Sequence, residues 1–264
     1  ADGPMVAPGR YFEYGDAGGD FVPMPGVGVA GSRGMRARFR TGVVSAGGMK
    51  LAFGRNPNTY MNSSLRADED FREVYYRQYL RMAPGWVGNP AKLSRATVFA
   101  ERGAWSQAMI AHLWGGRGDV LALDPVRCVG PDNRVKCHGY NDFPSMDWLG
   151  YAFGTTPLFA TTMSGQWLCI EAHVRLNTPG RSDGLNEFWI DDGLEARREG
   201  LDFVRSYTDY AINAIFFENY WNDGSPRVQE RFFDNIVVST ERIGCLADSP
   251  ALPQHRLWLP RVAG

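Results

Sequence analysis

Lysine is scarce in this chain: Lys50, Lys92 and Lys136 are its three, and arginine makes up the rest of 28 basic residues. Against them stand 29 acidic residues, so the net charge is −1. A chain so balanced has no global field to gather nucleic acid or an anionic membrane, and neither is expected as a partner. An acidic ligand would have to meet a local cluster of cations. No apolar run approaches the ~20 residues that span a bilayer, so membrane insertion is not expected. No CxxC or His-x-His spacing points to zinc or iron. The Gly-rich stretch at 25–34 lacks Gly-Lys-Ser/Thr and a following amphipathic helix, so no nucleotide site is expected. Internal repeats and low-complexity linkers are also missing.

What remains is a turn-rich chain of short apolar runs. Its 31 glycines, 16 prolines and 34 aromatic residues among 264 fit an all-β protein with few, short helices. A two-sheet antiparallel β-sandwich of this length is expected to form a single domain over 1–264. Strands are predicted at 10–14, 34–43, 47–54, 72–82, 93–100, 107–114, 119–124, 166–177, 185–191, 211–220 and 230–240. Residues 195–205 read equally as a short helix or a strand. The segment 126–162, rich in Pro, Gly, Asp and Asn, is predicted to be an irregular loop flanking a groove, and the proline-bearing tail 246–264 to wrap the surface. Cys128 and Cys137 bracket a polar loop and are predicted to pair; Cys169 and Cys245 can pair only if their strands are neighbours. Four cysteines and an Ala-Asp-Gly start fit a secreted or periplasmic protein.

Three stretches carry ionisable groups on a strand face. In 167–193, alternation puts Glu171, His173, Arg175 and Asn177 on one side and Ile170, Ala172, Val174 and Leu176 on the other. After a turn, Glu187, Trp189 and Asp191 repeat the pattern, which predicts a hairpin with one polar, aromatic-bearing face suited to sugar. In 73–82, Glu73, Tyr75, Arg77, Tyr79 and Arg81 share a side. Ile110, His112 and Trp114, and Asn213, Phe217, Asn219 and Trp221, are candidates to extend the same surface. A solvated sheet face is the plain alternative for any one of these strands. Several together favour a groove for a polymer.

Short motifs give these strands a family likeness. Gly85-Trp86 with Lys92-Leu93, the block Trp167…Glu171-x-His173-x-x-Leu176-Asn177-Thr178-Pro179-Gly180…Asp183-Gly184…Trp189-Ile190-Asp191, and the closing Phe233-Asp234-Asn235-Ile236-Val237-Val238-Ser239-Thr240…Ile243-Gly244 resemble the concanavalin-like jelly rolls of polysaccharide lyases. The likeness is to the alginate and glucuronan lyase groups and heparin lyase I, over residues 34 to 244. It implies an extracellular polysaccharide lying across one sheet, and β-elimination of a uronate-containing chain. That chemistry needs a group to neutralise the carboxylate, a base for the C5 proton and an acid for the leaving oxygen. Arg77, Lys92 or Asn219 would serve as the first, His173 or His112 as base, and Tyr75 or Tyr79 as acid. Arg81, Arg175, Asn177, Trp189, Trp114 and Trp221 would bind substrate. The tyrosine pair of the alginate pattern has no counterpart in Val120-Leu121-Ala122-Leu123, so that catalytic arrangement does not carry over.

A glycoside hydrolase using Glu171 and Glu187 is the competing enzyme, because a carboxyl pair on neighbouring strands can take either glycosidase spacing. The Glu-x-Asp-x-x-Glu strand of laminarinase-type jelly rolls is absent, which ranks it second; a non-catalytic carbohydrate-binding module ranks third. None of these requires a cofactor. Glu13, Asp16, Asp20 and Asp234 are hard oxygen ligands that would suit a structural calcium, although their spacing is not a twelve-residue calcium loop and ordinary acidic turns are favoured.

Overall fold

The structure is a computed structural model that describes residues 13–57, 65–102 and 104–246. Its strands, in chain order, are β1 (Glu13–Gly15), β2 (Phe21–Met24), β3 (Gly34–Phe39), β4 (Ser45–Ala52), β5 (Glu73–Met82), β6 (Lys92–Phe99), β7 (Gln107–Gly115) and β8 (Leu121–Arg127). They continue with β9 (Asp147–Trp148), β10 (Ala152–Phe153), β11 (Leu168–Arg175), β12 (Gly184–Ile190), β13 (Gly193–Leu201), β14 (Ala214–Tyr220) and β15 (Gln229–Ser239). One antiparallel sheet runs β1-β4-β14-β6-β7-β8-β10, with β9 also on β8; the other runs β13-β12-β11-β5-β15-β3-β2. Consecutive strands pair in β6-β7-β8 and β11-β12-β13, while the chain crosses between the sheets at β3/β4, β4/β5, β5/β6, β13/β14 and β14/β15 so that distant strands such as β5 and β15 pair, the crossing-over of a jelly roll. The fold is the two-sheet sandwich that the strand pattern predicts.

Alternation explains how the sheets close on each other. Ala96 and Val98 of β6, Ala111 and Leu113 of β7, Leu121 and Leu123 of β8, and Ile215 and Phe217 of β14 meet Val74, Tyr76, Leu80, Ile170, Ala172 and Val174 in one continuous core. Phe39, Trp86 and Trp221 close one end of that core, their ring centroids 5.7–5.8 Å apart. Trp221 is therefore a packing residue and not the sugar contact expected of it. Residues 195–205 form β13 and its exit, not a helix. The expected irregular loop begins later than predicted, because β8 extends to Arg127, and it contains β9 and β10. Of the predicted first strand, residues 10–12 lie outside the described residues, as does the tail beyond Leu246.

Both disulfides are formed, Cys128–Cys137 and Cys169–Cys245. The second exists because the chain leaving β15 turns back over β11. Residues 241–246 form a strap across the outer face of the second sheet, with consequences for the site.

Candidate active site

Across the first sheet, cross-strand pairing lines up one row of side chains. Glu13 of β1 faces Lys50 of β4; Lys50 faces Phe216 of β14; Phe216 faces Arg95 of β6; Arg95 faces His112 of β7; His112 faces Asp124 of β8. All point away from the core, on the side where Phe99, Ala214 and Phe216, and separately Ile110 and Val126, form small clusters of their own. From Lys50 to Asp124 the row crosses four inter-strand gaps, about 19 Å at the usual strand spacing.

A backbone irregularity adds a third cation. Lys92 and Arg95 are three residues apart, so regular alternation would aim them to opposite faces. Register shifts between Lys92 and Ser94, and opposite them in β14 between Phe217 and Tyr220, turn Lys92 to the outer face beside Tyr220. Arg231 of β15 holds this bulge from inside the core. Its Nε donates to Asn219 Oδ1 at 2.8 Å, and its Nη2 donates to the carbonyls of Lys92 (3.1 Å) and Glu218 (2.5 Å). Burial pushes its pKa down to about 9, so it stays charged at neutral pH. Asn219, expected to touch substrate, instead spends its amide on Arg231 and on the Gly47 carbonyl.

Tyr140 roofs the cations. It lies three residues beyond Cys137, in the loop that leaves the Cys128–Cys137 bridge. Its hydroxyl donates to Glu218, and its ring lies 4.3 Å from the Arg95 guanidinium carbon and 5.2 Å and 5.7 Å from the Lys92 and Lys50 ammonium groups. Lys50 pairs with Glu13, and Arg95 Nε lies 3.3 Å from Glu218 Oε2. Arg95 Nε and Nη2 nonetheless have no hydrogen-bond partner. Between Glu13, Lys50, Lys92, Tyr140, Glu218 and Tyr220 lies a cavity of about 240 Å³.

These surroundings set the charge states. Burial lowers the pKa of Lys50, which Glu13 opposes, and of Lys92, where Arg95 adds to the effect. Burial alone would raise Glu218, but Arg95 and Lys92 outweigh it and hold the carboxylate below its usual range. The Tyr140 hydroxyl is pushed up by burial, against the pull of Arg95. His112 is pushed well down, by burial first and by Arg95 second. Its Nδ1 lies 3.0 Å from the Asp124 carbonyl, an acceptor only, so Nδ1 carries the proton and Nε2 keeps its lone pair. Asp124 has no exposed surface, and neither carboxylate oxygen meets a donor in hydrogen-bond geometry. Burial pushes its pKa up to about 7, although the Tyr151 hydroxyl comes near enough to oppose the shift. Around this end stand stacked rings: His112 on Trp114 at 4.0 Å, Trp148 at 5.9 Å and 6.1 Å from them, and Phe143 beyond at 6.1 Å.

The other polar strands lie on the opposite side of the molecule. The predicted hairpin is formed, with His173 opposite Glu187 on one side and Tyr75 on the other, and Glu171 opposite Trp189 and Arg77. Their shared face is covered by the 241–246 strap. Glu171 accepts the backbone N–H groups of Ile243 (2.7 Å) and Gly244 (2.9 Å), Arg77 donates to the Gly244 carbonyl (2.7 Å), and Tyr79 accepts from Leu246. His173 is 2 % exposed; each ring nitrogen lies 2.7 Å from a carboxylate, Glu187 or Glu73, and its ring stacks on Tyr75 at 3.9 Å. Trp189 is buried under Arg242. A polymer cannot lie where the chain already does, so the groove expected over β5, β11 and β12 is not there. Glu171 and Glu187 are likewise committed to protein partners and do not form an open carboxyl pair.

The remaining candidates also divide. Arg81 donates to the Val27 carbonyl between Trp167 and Phe232, Arg175 to the Asp183 carbonyl, and Asn177 is buried holding Val204 and Arg205. Lys92, His112 and Trp114 are the predicted residues that the first sheet brings together. Lys50, Arg95, Tyr140, Glu218 and Asp124 were missed. For Glu218 and Asp124 the signal was a carboxylate inside an otherwise apolar run, as in AIFFE or LALDPV, where burial demands a partner or a task. The four calcium candidates are apart: Glu13 pairs with Lys50, Asp16 caps Gly18, Asp20 pairs with Arg40, and Asp234 accepts from Val29 and Ser32. Among the described residues no group of three potential ligands converges.

No family model and no curated protein matches the sequence. Solved structures do. The marine PL-14 alginate lyase from Aplysia kurodai superposes with a TM-score of 0.55 at 14% identity, over 84% of this chain and 88% of that one. An alginate lyase from a Chlorella virus gives 0.54 at 12%, over 83% and 88%. The endo-β-1,4-glucuronan lyase from the fungus Trichoderma reesei gives 0.51 at 12%, over 91% and 94%. The fold is that of the jelly-roll polysaccharide lyases. At such identities the likeness reaches the lyase fold alone, and the chemistry rests on the outer row of the first sheet.

Proposed function

We propose that the protein is a lyase that cleaves a uronate-containing polysaccharide by β-elimination on the outer face of the first sheet. The observation that carries this reading is the cavity where two ammonium groups face Tyr140 one strand from His112. A uronate carboxylate entering it meets Lys50 and Lys92, whose attraction acidifies the adjoining C5–H. His112 Nε2, unprotonated at neutral pH, takes that proton. The electron pair forms the C4=C5 double bond, the C4–O4 bond breaks, and the Tyr140 hydroxyl protonates the departing oxygen. Arg95, beneath Tyr140, stabilises the resulting phenolate. The base is held neutral and the acid held protonated by the same neighbourhood, which is the division that elimination needs. The two disulfides suit action in an oxidising compartment outside the cytosol.

The test is incubation with alginate, glucuronan, pectate and glycosaminoglycans while following the ultraviolet absorbance of the unsaturated product. Tyr140→Phe and His112→Ala should each lower kcat by about 10²–10⁴-fold, as loss of a general acid or base does. Release of reducing ends without unsaturation would make the protein a hydrolase instead.

A further inference from the structure

The outer row changes character at His112. On the β4, β14 and β6 side stand Lys50, Lys92 and Arg95. On the β8, β9 and β10 side stand Trp148, 41% exposed, and Tyr151, 59% exposed, with Phe143, 49% exposed, beyond them. Arg117 on this side is held over the Phe153 ring, 4.6 Å from its centroid. Under the aromatic rings Asp124 presents two buried oxygens that no donor meets in hydrogen-bond geometry, the nearest being the Tyr151 hydroxyl. Acceptors in that state call for donors. Sugar hydroxyls supply them, whereas a second uronate carboxylate would set acceptors against acceptors. Aromatic faces likewise favour the apolar side of an uncharged pyranose. Lys92 and Asp124 are two strands apart and two residues out of register, about 12 Å between their backbones, within reach of one short stretch of polymer.

We propose that the groove is bipartite and takes a mixed polymer: a uronate on Lys50 and Lys92, joined to an uncharged hydroxylated sugar lying on Trp148 and Tyr151 with its hydroxyls donated to Asp124. This deepens the lyase reading and rests on it. The groups facing Asp124 are His112 and, beyond it, Arg95 in the row, with Tyr151 on the far side. Of these the Tyr151 hydroxyl comes near enough to oppose the rise of the carboxyl's pKa, yet it meets neither oxygen in hydrogen-bond geometry.

The experiment compares kcat/KM on homopolymers of uronate with that on polymers alternating uronate and neutral hexose, for the native protein, Trp148→Ala and Asp124→Asn. The native protein should favour a mixed polymer by about tenfold or more, the worth of one well-placed hydrogen bond to a buried group. Trp148→Ala should lose that preference chiefly through KM. Asp124→Asn, which presents an amide donor, should move the preference toward homopolyuronate, a reversal that a merely structural aspartate would not give. Homopolymer cleaved as fast as every mixed polymer, or both variants slowing all substrates in proportion, overturns the inference and leaves the lyase standing. If no polymer yields unsaturated product, the lyase reading fails, and tryptophan-fluorescence titration with the same two classes of oligosaccharide decides the groove. Tighter binding of mixed oligosaccharides, lost in Trp148→Ala, upholds it; equal, weaker or no binding overturns it.

Discussion

His112 shows how one side chain is tuned by what surrounds it. The imidazole is buried, stacked on Trp114 and one strand from Arg95, and all of this disfavours its cation. The group that must be unprotonated to act as base therefore stays so below the ordinary histidine range near pH 6.5. Activity on a uronate polymer should hold through pH 6 and fall only in more acid solution. The sign for stability follows from the same depression. Below about pH 6.5 the unfolded chain binds a proton that the folded chain refuses, so stability drops as pH falls from that value toward the folded pKa. A pH profile of kcat/KM and a thermal scan at matched pH check both together. An acid limb centred at or above pH 6.5 would remove His112 as the base. Arginine-to-tyrosine contact works at the same scale: Arg95, 1 % exposed, lies under the Tyr140 ring, and on the proposed mechanism it would act through that ring.

At the scale of elements, the two disulfides do different work. Cys169–Cys245 spans 76 residues and ties the strap to β11, while Cys128–Cys137 spans 9 and anchors the start of the segment that carries Tyr140. On the chain-entropy account the long loop contributes about 4.5 kcal/mol and the short one about 2.5 kcal/mol. Cys245→Ser should thus lower Tm by more than Cys137→Ser, yet Cys137→Ser should lose more activity, because only it loosens a group over the cavity. Paired Tm and turnover measurements on the two variants decide this; activity lost with the strap would return the site to the second sheet. The strap also explains what the sequence hid. β5, β11 and the hairpin to β12 are visible as alternation, and their polar face is correctly separated from their apolar one. Nothing in a periodic pattern tells whether a polar face meets solvent, a ligand or another part of the chain, and residues 241–246 have no periodicity of their own. That Arg95 shares a face with Lys92 was hidden for a different reason. A bulge between them breaks the period by which shared faces are recognised.

The whole molecule was legible as a two-sheet sandwich, because glycine, proline and short alternating runs leave little else for the chain to build. The row through Lys50, Arg95, His112 and Asp124 was not, since it joins strands far apart in sequence through pairings that exist only once the jelly roll has closed. Charge behaves the same way. The net charge of −1 describes a molecule without a long-range field, while three cations are gathered within one sheet face. A polyanion would then meet its attraction only on arrival in the cavity, where the ammonium groups are sheltered from bulk ions. Between 0.1 and 1 M salt the screening length falls from about 10 Å to about 3 Å, which abolishes steering but spares close, partly buried pairs. The kcat/KM for a uronate polymer should therefore change by less than about threefold over that range, in contrast to the 10–10³-fold of steered association. Lys92→Ala should lose more than about tenfold at either salt, as expected when one partner of a desolvated charge contact is removed. A fall of tenfold or more for the native protein between the two salts would mean that charges outside the cavity gather the polymer, and that the site extends beyond this row.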